Sequence, residues 1–155
     1  MTEHLIGVIS DTHGLLRPQA VRALKGVELI IHAGDIGGPE ILTALETIAP
    51  VAAVRGNTDR GQWARHLPQS RVVAVGQVHF YVLHELYALD LNPAAAGLAA
   101  VIFGHSHRPH QERQDSVLFL NPGSAGPRRF TLPVTLARIK LQGSSLHPEL
   151  VELKV

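Results

Sequence analysis

Residues 5–13 read LIGVISDTH, an apolar run that stops at an aspartate and a histidine. A continuous apolar run of this length is typical of a strand that is buried on both faces, as in a parallel sheet. In open α/β sheets the ligand crevice lies beyond the carboxyl ends of such strands. The stretch therefore predicts a buried strand over residues 5–10 that delivers Asp11 and His13 to a site at the end of a sheet.

Four more apolar runs end in the same way, namely LIIHAG, VAAVRG, FYVL and AAVIFG. The polar residues that follow them are, in chain order, Asp35, Asn57, His84, and the pair His105 and His107. If the runs are strands, all seven side chains converge. Two aspartates, one asparagine and four histidines form a mixed oxygen and nitrogen set, which suits Mn, Fe or Zn and is poor for Cu(I). Seven ligands exceed what one catalytic ion with open positions uses, and they match two ions that share a carboxylate.

Composition limits the class of protein. The chain has 155 residues, of which 45% are hydrophobic, and this predicts a single domain over residues 1–155. The 14 Lys+Arg nearly balance the 13 Asp+Glu and no basic run is present, so a nucleic-acid partner is not required. The absence of cysteine excludes disulfides and fits a reducing compartment. Because no apolar run approaches a span of roughly 20 residues and the start lacks a basic n-region, we expect a cytoplasmic protein without membrane contact.

The first half of the chain alternates strand and helix patterns. A helix pattern that begins at Pro18 and stops at Gly26 precedes a strand over residues 28–33. A second helix pattern ends at Pro50, and a strand over residues 51–55 follows directly. This βαβαβ order predicts a parallel sheet with right-handed crossovers.

The second half changes character. RVVAVG and VHFYVLHE are separated by a Gly-Gln turn and predict an antiparallel pair, while NPAAAGLAA predicts a short helix or turn before a strand over residues 100–103. The runs at 116–121, 133–141 and 145–155 alternate like half-exposed antiparallel strands. Two sheets packed together with helices outside would accommodate both halves.

Each motif taken alone also has a structural interpretation. Asp11 and His13 share a face because residues two apart along a strand do, yet such a triplet can also be an ordinary turn. The carboxylate of Asp35 can bridge two cations, which a histidine cannot do, but the residue could simply end a strand. Thr58 or Asp59 could cap the helix expected next, and this would be compatible with Asn57 as a ligand.

Together the motifs resemble the calcineurin-like metallophosphoesterases, and within them the small single-domain bacterial and archaeal phosphodiesterases. The resemblance covers essentially the whole chain and includes the tetrapeptide Asn121-Pro122-Gly123-Ser124, which is particularly like that subgroup. It implies a four-layer α/β/β/α sandwich of two mixed β-sheets flanked by helices. It also implies two divalent ions, with Mn²⁺ expected and Fe, Zn or Ni as alternatives. The implied ligands of the first ion are Asp11, His13, Asp35 and His107, and those of the second are Asp35, Asn57, His84 and His105, with Asp35 bridging.

The resemblance further implies hydrolysis of a small phosphodiester by a metal-bound hydroxide that attacks phosphorus in line. We expect Asp35, Asn57 and His105 to be needed for catalysis. Many members of the family carry a histidine that faces the leaving group where this chain has Thr58, and Arg128 follows the NPGS tetrapeptide. We expect these last two residues to contact substrate.

Some alternatives remain open at this point. Glu85 stands where the family usually has glycine, and period-two alternation predicts that it points away from the site. His32 supports a ligand from behind or is a hydrogen-bonded core histidine. A non-catalytic interaction scaffold on the same fold and a nuclease are the competing functions. The subgroup resemblance favours a homodimer or homotetramer.

Overall fold

The computed structural model describes residues 2–155, which form ten β-strands, two α-helices and two 3-10 helices. The strands are β1 (Glu3–Ile9), β2 (Leu29–His32), β3 (Val51–Ala53), β4 (Ser70–Val75), β5 (Val78–Leu83), β6 (Ala100–Ile102), β7 (His110–Gln114), β8 (Val117–Asn121), β9 (Thr135–Gln142) and β10 (Ser145–Glu152). The α-helices are α1 (Pro18–Ala23) and α2 (Pro39–Glu46), and the 3-10 helices are Gln62–His66 and Leu86–Ala88.

The first sheet has the strand order β10-β9-β1-β2-β3. Strands β1, β2 and β3 are parallel neighbours and are joined through α1 and α2, as the βαβαβ pattern predicted. Both helices begin at a proline, whose fixed φ and missing N–H suit the first turn. Strands β9 and β10 complete the sheet in antiparallel pairing.

The second sheet has the order β4-β5-β6-β8-β7. The antiparallel β4–β5 pair agrees with the prediction. The strand predicted over residues 116–121 is present as β8, but the prediction that it is half-exposed is wrong, and on one side it pairs in parallel with β6. Its antiparallel neighbour is β7, an entirely exposed strand of polar residues that no apolar pattern could reveal.

The layers follow from where the apolar side chains lie. The core between the sheets contains Val8 and Ile31 of the first sheet and Phe80 of the second. A second cluster, which includes Leu24 and Leu45, packs α1 and α2 on the outer face of the first sheet.

On the outer face of the second sheet, Leu89 of the loop after the Leu86–Ala88 3-10 helix packs with Val101 and Phe103. The predicted α/β/β/α class is confirmed, with this thin segment as its fourth layer. The segment written NPAAAGLAA begins as a turn, which is one of the two predicted alternatives. That residues 1–155 form one domain stays a prediction. None of the helices within residues 2–155 has the length and apolar character needed to span a membrane.

Candidate metal centre

The seven predicted ligand residues each follow the carboxyl end of a strand, and the structure brings them into one connected cluster. They are Asp11 and His13 after β1, Asp35 after β2, Asn57 after β3, His84 after β5, and His105 and His107 after β6. Four of them are buried, namely Asp11, Asp35, His84 and His107. The convergence expected from the apolar runs is therefore present in the fold.

One half of the cluster surrounds Asp11. The Nε2 atoms of His13 and His107 lie 3.2 Å apart, and Asp11 Oδ1 lies 3.5 Å from His107 Nε2 and 3.8 Å from His13 Nε2. Ligands of one ion at metal–ligand distances of about 2.0–2.2 Å lie about 3.0–3.5 Å apart in a tetrahedral or cis-octahedral arrangement. These three side chains are thus spaced much as the ligands of one cation are.

The other half surrounds His84. Its Nδ1–H donates to the carbonyl oxygen of Ala33 at 2.8 Å, which leaves Nε2 as a lone-pair donor 3.2 Å from Asp35 Oδ2. A backbone partner of this kind fixes the tautomer of a metal-binding histidine. Beside it, His105 Nδ1 lies 3.2 Å from Asn57 Oδ1, and the rings of His84 and His105 have centroids 5.2 Å apart.

Buried polar atoms without hydrogen-bond partners test whether a cation fits. Among the described residues, Asp11 Oδ1, His84 Nε2 and His107 Nδ1 are such atoms. Each unsatisfied buried group costs on the order of 1–3 kcal/mol. The first two face other predicted ligands, so a cation would satisfy them at once. The Asp11 and Asp35 carboxylates would supply the compensating charge, and the donor set fits a divalent metal.

Burial and neighbouring charges act in opposite directions on the pKa values of the acidic and histidine side chains in the cluster. Burial raises the pKa of the Asp11 carboxyl, with His84 acting against it. Burial also disfavours the charged form of Asp35, but the close approach of His84 and the hydrogen bond from the Thr58 N–H outweigh it and hold the pKa of that carboxyl well below its usual range. Burial would lower the pKa of His84 too, yet the nearby carboxylates of Asp35 and Asp11 raise it. Because metal ligands must be deprotonated, a cation bound here would compete with a proton for these side chains.

His107 behaves differently from His84. Burial lowers its pKa to about 4, and the charges of Arg129 and His13 act in the same direction. The imidazole is consequently neutral near pH 7, which is the protonation state that binds metal.

Backbone conformation is unusual at most of these positions. Asp11, His13, Asp35, His105 and His107 have φ angles of 56°, 45°, 56°, 75° and 63°. Non-glycine residues rarely adopt this left-handed region, and such residues cluster at functional sites because the surrounding structure must hold them there. Five of the seven predicted ligands thus lie where the chain turns sharply at a strand end.

Asp59 is a supporting residue whose role the sequence did not reveal. Its buried carboxylate accepts hydrogen bonds from the backbone N–H groups of Ile36 at 2.9 Å, Gly37 at 3.1 Å and Gly56 at 2.9 Å. It therefore joins the loop after Asp35 to the loop that carries Asn57. The expected helix cap is not formed, because the 3-10 helix starts only after Gly61 and has no side-chain cap.

His32 combines both roles that the sequence left open. It is fully buried, and its Nδ1 accepts a hydrogen bond from the Gly34 N–H at 3.1 Å. Nε2 must then carry the proton and donate to Thr12 Oγ1 at 3.0 Å, while that hydroxyl donates to the Ile36 carbonyl at 2.7 Å. One core imidazole thereby connects the two loops that present Asp11, His13 and Asp35.

We expect the metal-free protein to lose stability as the pH falls, in part because of His32. Burial holds the pKa of His32 at about 3 in the folded protein, against 6.5 ordinarily. Between these values the unfolded chain binds one more proton, so the free energy of unfolding falls by up to about 1.4 kcal/mol per pH unit as the pH is lowered. Urea unfolding of His32→Gln at several pH values between about 6.5 and 4.5 should give a shallower slope than wild type. Equal slopes would contradict the assignment.

The NPGS tetrapeptide supports the same loops. The Asn121 amide donates to the Gly104 carbonyl and to Ser106 Oγ, each at 3.1 Å. The Ser124 hydroxyl donates to the Asp11 carbonyl at 2.9 Å. Through these hydrogen bonds the tetrapeptide holds the loop of His105 and the loop of Asp11 in place.

The two predicted substrate contacts are both at the surface. Thr58 is exposed, and its backbone N–H donates to Asp35 Oδ1 at 2.9 Å. The exposed Arg128 donates to the Leu132 carbonyl at 3.4 Å. Neither contact tests a substrate role, which stays a prediction for both residues.

Glu85 does not point away from the site as alternation predicted. Strand β5 ends at Leu83, so the period-two rule no longer applies two residues later. Glu85 Oε1 lies 3.8 Å from His105 Nδ1, and the residue lines a cavity of about 170 Å³ together with Asn57 and His84.

Two packed mixed sheets with an aspartate and histidine cluster at their strand ends are the fold and site expected of a metal-dependent phosphoesterase. Residues 5–144 match the calcineurin-like phosphoesterase superfamily domain, and the chain belongs to that superfamily. It is 38% identical over 159 aligned positions to a probable metallophosphoesterase of Methanothermobacter thermautotrophicus, covering 95% of this chain and 91% of the relative. It is 30% identical to a phosphodiesterase of Methanocaldococcus jannaschii, covering 76% and 82%.

A solved structure shares the fold at lower identity. Vacuolar protein sorting 29 of Cryptosporidium parvum superposes with a TM-score of 0.80 and 18% identity over the full length of both chains. At this identity the likeness shows the fold alone. The predicted family and enzyme class are confirmed by the family match and the archaeal relatives.

Proposed function

We propose that the protein is a phosphodiesterase whose seven convergent side chains hold two divalent cations. One observation carries this proposal. Asp35 Oδ2 lies 3.7 Å from His13 Nε2 and 3.2 Å from His84 Nε2, so a single carboxylate oxygen faces the nitrogen ligands of both halves of the cluster. Such a carboxylate is what a two-metal site needs between its ions.

In the proposed centre, Asp11, His13, Asp35 and His107 hold one cation, and Asp35, Asn57, His84 and His105 hold the other. Cations bound there would polarise the phosphoryl oxygens and supply hydroxide from water near neutral pH for in-line attack. The oxygen and nitrogen donors, without any sulfur, favour Mn²⁺, and Fe, Zn or Ni are alternatives.

In this proposal the side chains of the protein position the cations, and none of them attacks phosphorus. Asp11 Oδ2 accepts hydrogen bonds from the Ser10 hydroxyl at 2.8 Å and the His105 N–H at 3.2 Å, which aims Oδ1 at the cluster. Ser106 and Ser124 are engaged in hydrogen bonds that support loops. Accordingly, the proposed reaction has no covalent phospho-enzyme.

A non-catalytic scaffold is the competing function, and the likeness to vacuolar protein sorting 29 is the observation behind it. The cluster argues against it for this chain. All seven predicted ligand positions carry competent donors, and unpartnered buried atoms such as Asp11 Oδ1 would be costly without a cation. A small phosphodiester is the proposed partner. The cytoplasmic location and the homodimer or homotetramer stay predictions.

We expect wild type to hydrolyse bis(p-nitrophenyl) phosphate faster than an alkyl phosphomonoester, and Thr58→His to reduce this difference. Thr58 is exposed beside the cluster, and its hydroxyl cannot protonate a leaving group near pH 7, whereas a histidine there acts as a general acid worth roughly 10²–10⁴-fold. Thr58→His should increase the rate on the alkyl ester more than the rate on the diester, because nitrophenolate leaves without protonation. Both rates are measured at saturating Mn²⁺.

Thr43→His, on the exposed face of α2, provides the matched control and should change neither rate. Equal wild-type rates on the two substrates would refute the idea that position 58 sets the preference. Faster cleavage of single-stranded DNA than of the small diester would favour the nuclease alternative.

A further inference from the structure

Glu85 is an acidic side chain beside the cluster that the proposed centre does not use. Its Oε1 lies 3.8 Å from His105 Nδ1, and that nitrogen lies 3.2 Å from Asn57 Oδ1. The Glu85 side chain is only 19% exposed, so its charge is partly withdrawn from water. A partly buried carboxylate next to a predicted ligand, in a cavity that Asn57 and His84 also line, requires an explanation.

The spacing is that of ligands sharing a cation. At metal–ligand distances of about 2.1 Å, two ligands of an octahedral ion lie about 3.0 Å apart when adjacent and about 4.2 Å apart when opposite. Both distances at His105 Nδ1 fall within this range. His84 Nε2, which is buried and has no hydrogen-bond partner among the described residues, is an independent sign that a cation belongs here.

The backbone holds Glu85 in this place. The chain leaves β5 at Leu83, and the Leu86–Ala88 3-10 helix begins immediately after Glu85. The Ala88 N–H donates to the Glu85 carbonyl at 3.0 Å.

We infer that Glu85 supplies an additional carboxylate ligand to the cation proposed for Asn57, His84 and His105. The inference rests on the proposed two-metal centre and adds a ligand that the seven-residue set lacks. A third carboxylate leaves the centre with one unit less positive charge than Asp11 and Asp35 alone would. The centre then attracts a dianionic monoester less strongly relative to a monoanionic diester, which accords with the proposed substrate class.

Calorimetric titration of the metal-free protein with Mn²⁺ tests this without measuring turnover. Wild type should bind two ions. Glu85→Gln and Glu85→Ala should bind the first ion unchanged and the second at least about tenfold more weakly, since even residues that only orient ligands contribute 10–100-fold to metal affinity. Asp90→Asn removes the same charge from an exposed position five residues along the chain and should behave as wild type.

The outcomes separate the two proposals. Two tightly bound ions in wild type and in Glu85→Ala would overturn the role of Glu85 and leave the two-metal centre standing. Equal weakening of both ions would also overturn it, because the effect would not be confined to one position. Fewer than two ions in wild type would overturn the two-metal centre and the Glu85 inference together.

Discussion

Replacing Asp35 by asparagine is expected to reduce the turnover number at least about a hundredfold, on the order expected when a major electrostatic element is lost. Asp35 Oδ2 is the atom that faces nitrogen ligands on both sides of the cluster. Without its negative charge, two cations repel each other with less compensation between them. The measurement is kcat on bis(p-nitrophenyl) phosphate at saturating Mn²⁺, accompanied by the metal content of the purified variant.

The folded structure should survive this change. An asparagine retains an oxygen that can accept the Thr58 N–H, as Asp35 Oδ1 does at 2.9 Å. Asp90→Asn makes the same substitution on an exposed loop, and His147→Ala removes an exposed histidine of β10; both should keep wild-type turnover. Near-normal turnover in Asp35→Asn, together with a loss in His147→Ala, would show that the site is assigned wrongly.

Removal of metal is expected to abolish activity entirely. A chelator should reduce hydrolysis to the uncatalysed background, and Mn²⁺ should restore it best among the divalent ions. The physical reason is that no side chain in the cluster is placed to act as nucleophile, so the chain offers no second route to attack. Elemental analysis should find about two ions per chain after reconstitution.

The same experiment has a structural readout. Because a ligand that binds only the folded state stabilises it, Mn²⁺ should raise the unfolding temperature of the metal-free protein. Thermal unfolding of Asp35→Asn in the same buffers serves as the comparison, and its increase should be smaller. A chain that holds no metal after exposure to excess Mn²⁺ would end the two-metal proposal.

The parts of the fold that could be predicted from the sequence are those with local causes. Strands β1, β2 and β3 are apolar runs whose burial demands a parallel sheet, and α1 and α2 begin at prolines. The neighbours of β8 could not be predicted, because pairing depends on a distant partner. That partner on one side is β7, whose residues are all exposed.

The grouping of the candidate ligands could be predicted for a related reason. A buried parallel strand places the residues after its carboxyl end at the same edge as those of its neighbours, which groups the residues after β1, β2 and β3 in one sheet and those after β5 and β6 in the other. The packing of the two sheets then brings the two groups together. Which atom of each side chain faces the cluster could not be predicted from the sequence. Asp35 turns Oδ2 toward both halves of the cluster because its Oδ1 accepts a hydrogen bond from the Thr58 N–H. His84 turns Nε2 toward the cluster because its Nδ1 is hydrogen-bonded to the Ala33 carbonyl.

The amino-acid sequence by itself thus determined the fold class, the strand ends at which the candidate donors lie and the chemistry of those donors, because these follow from apolar runs and the residues that end them. The tertiary structure alone decided the support around the donors. Asp59, His32 and Asn121 make hydrogen bonds across 15 or more residues of sequence. It also decided the direction of Glu85, since strand alternation governs a side chain only while the strand continues, and β5 had already ended.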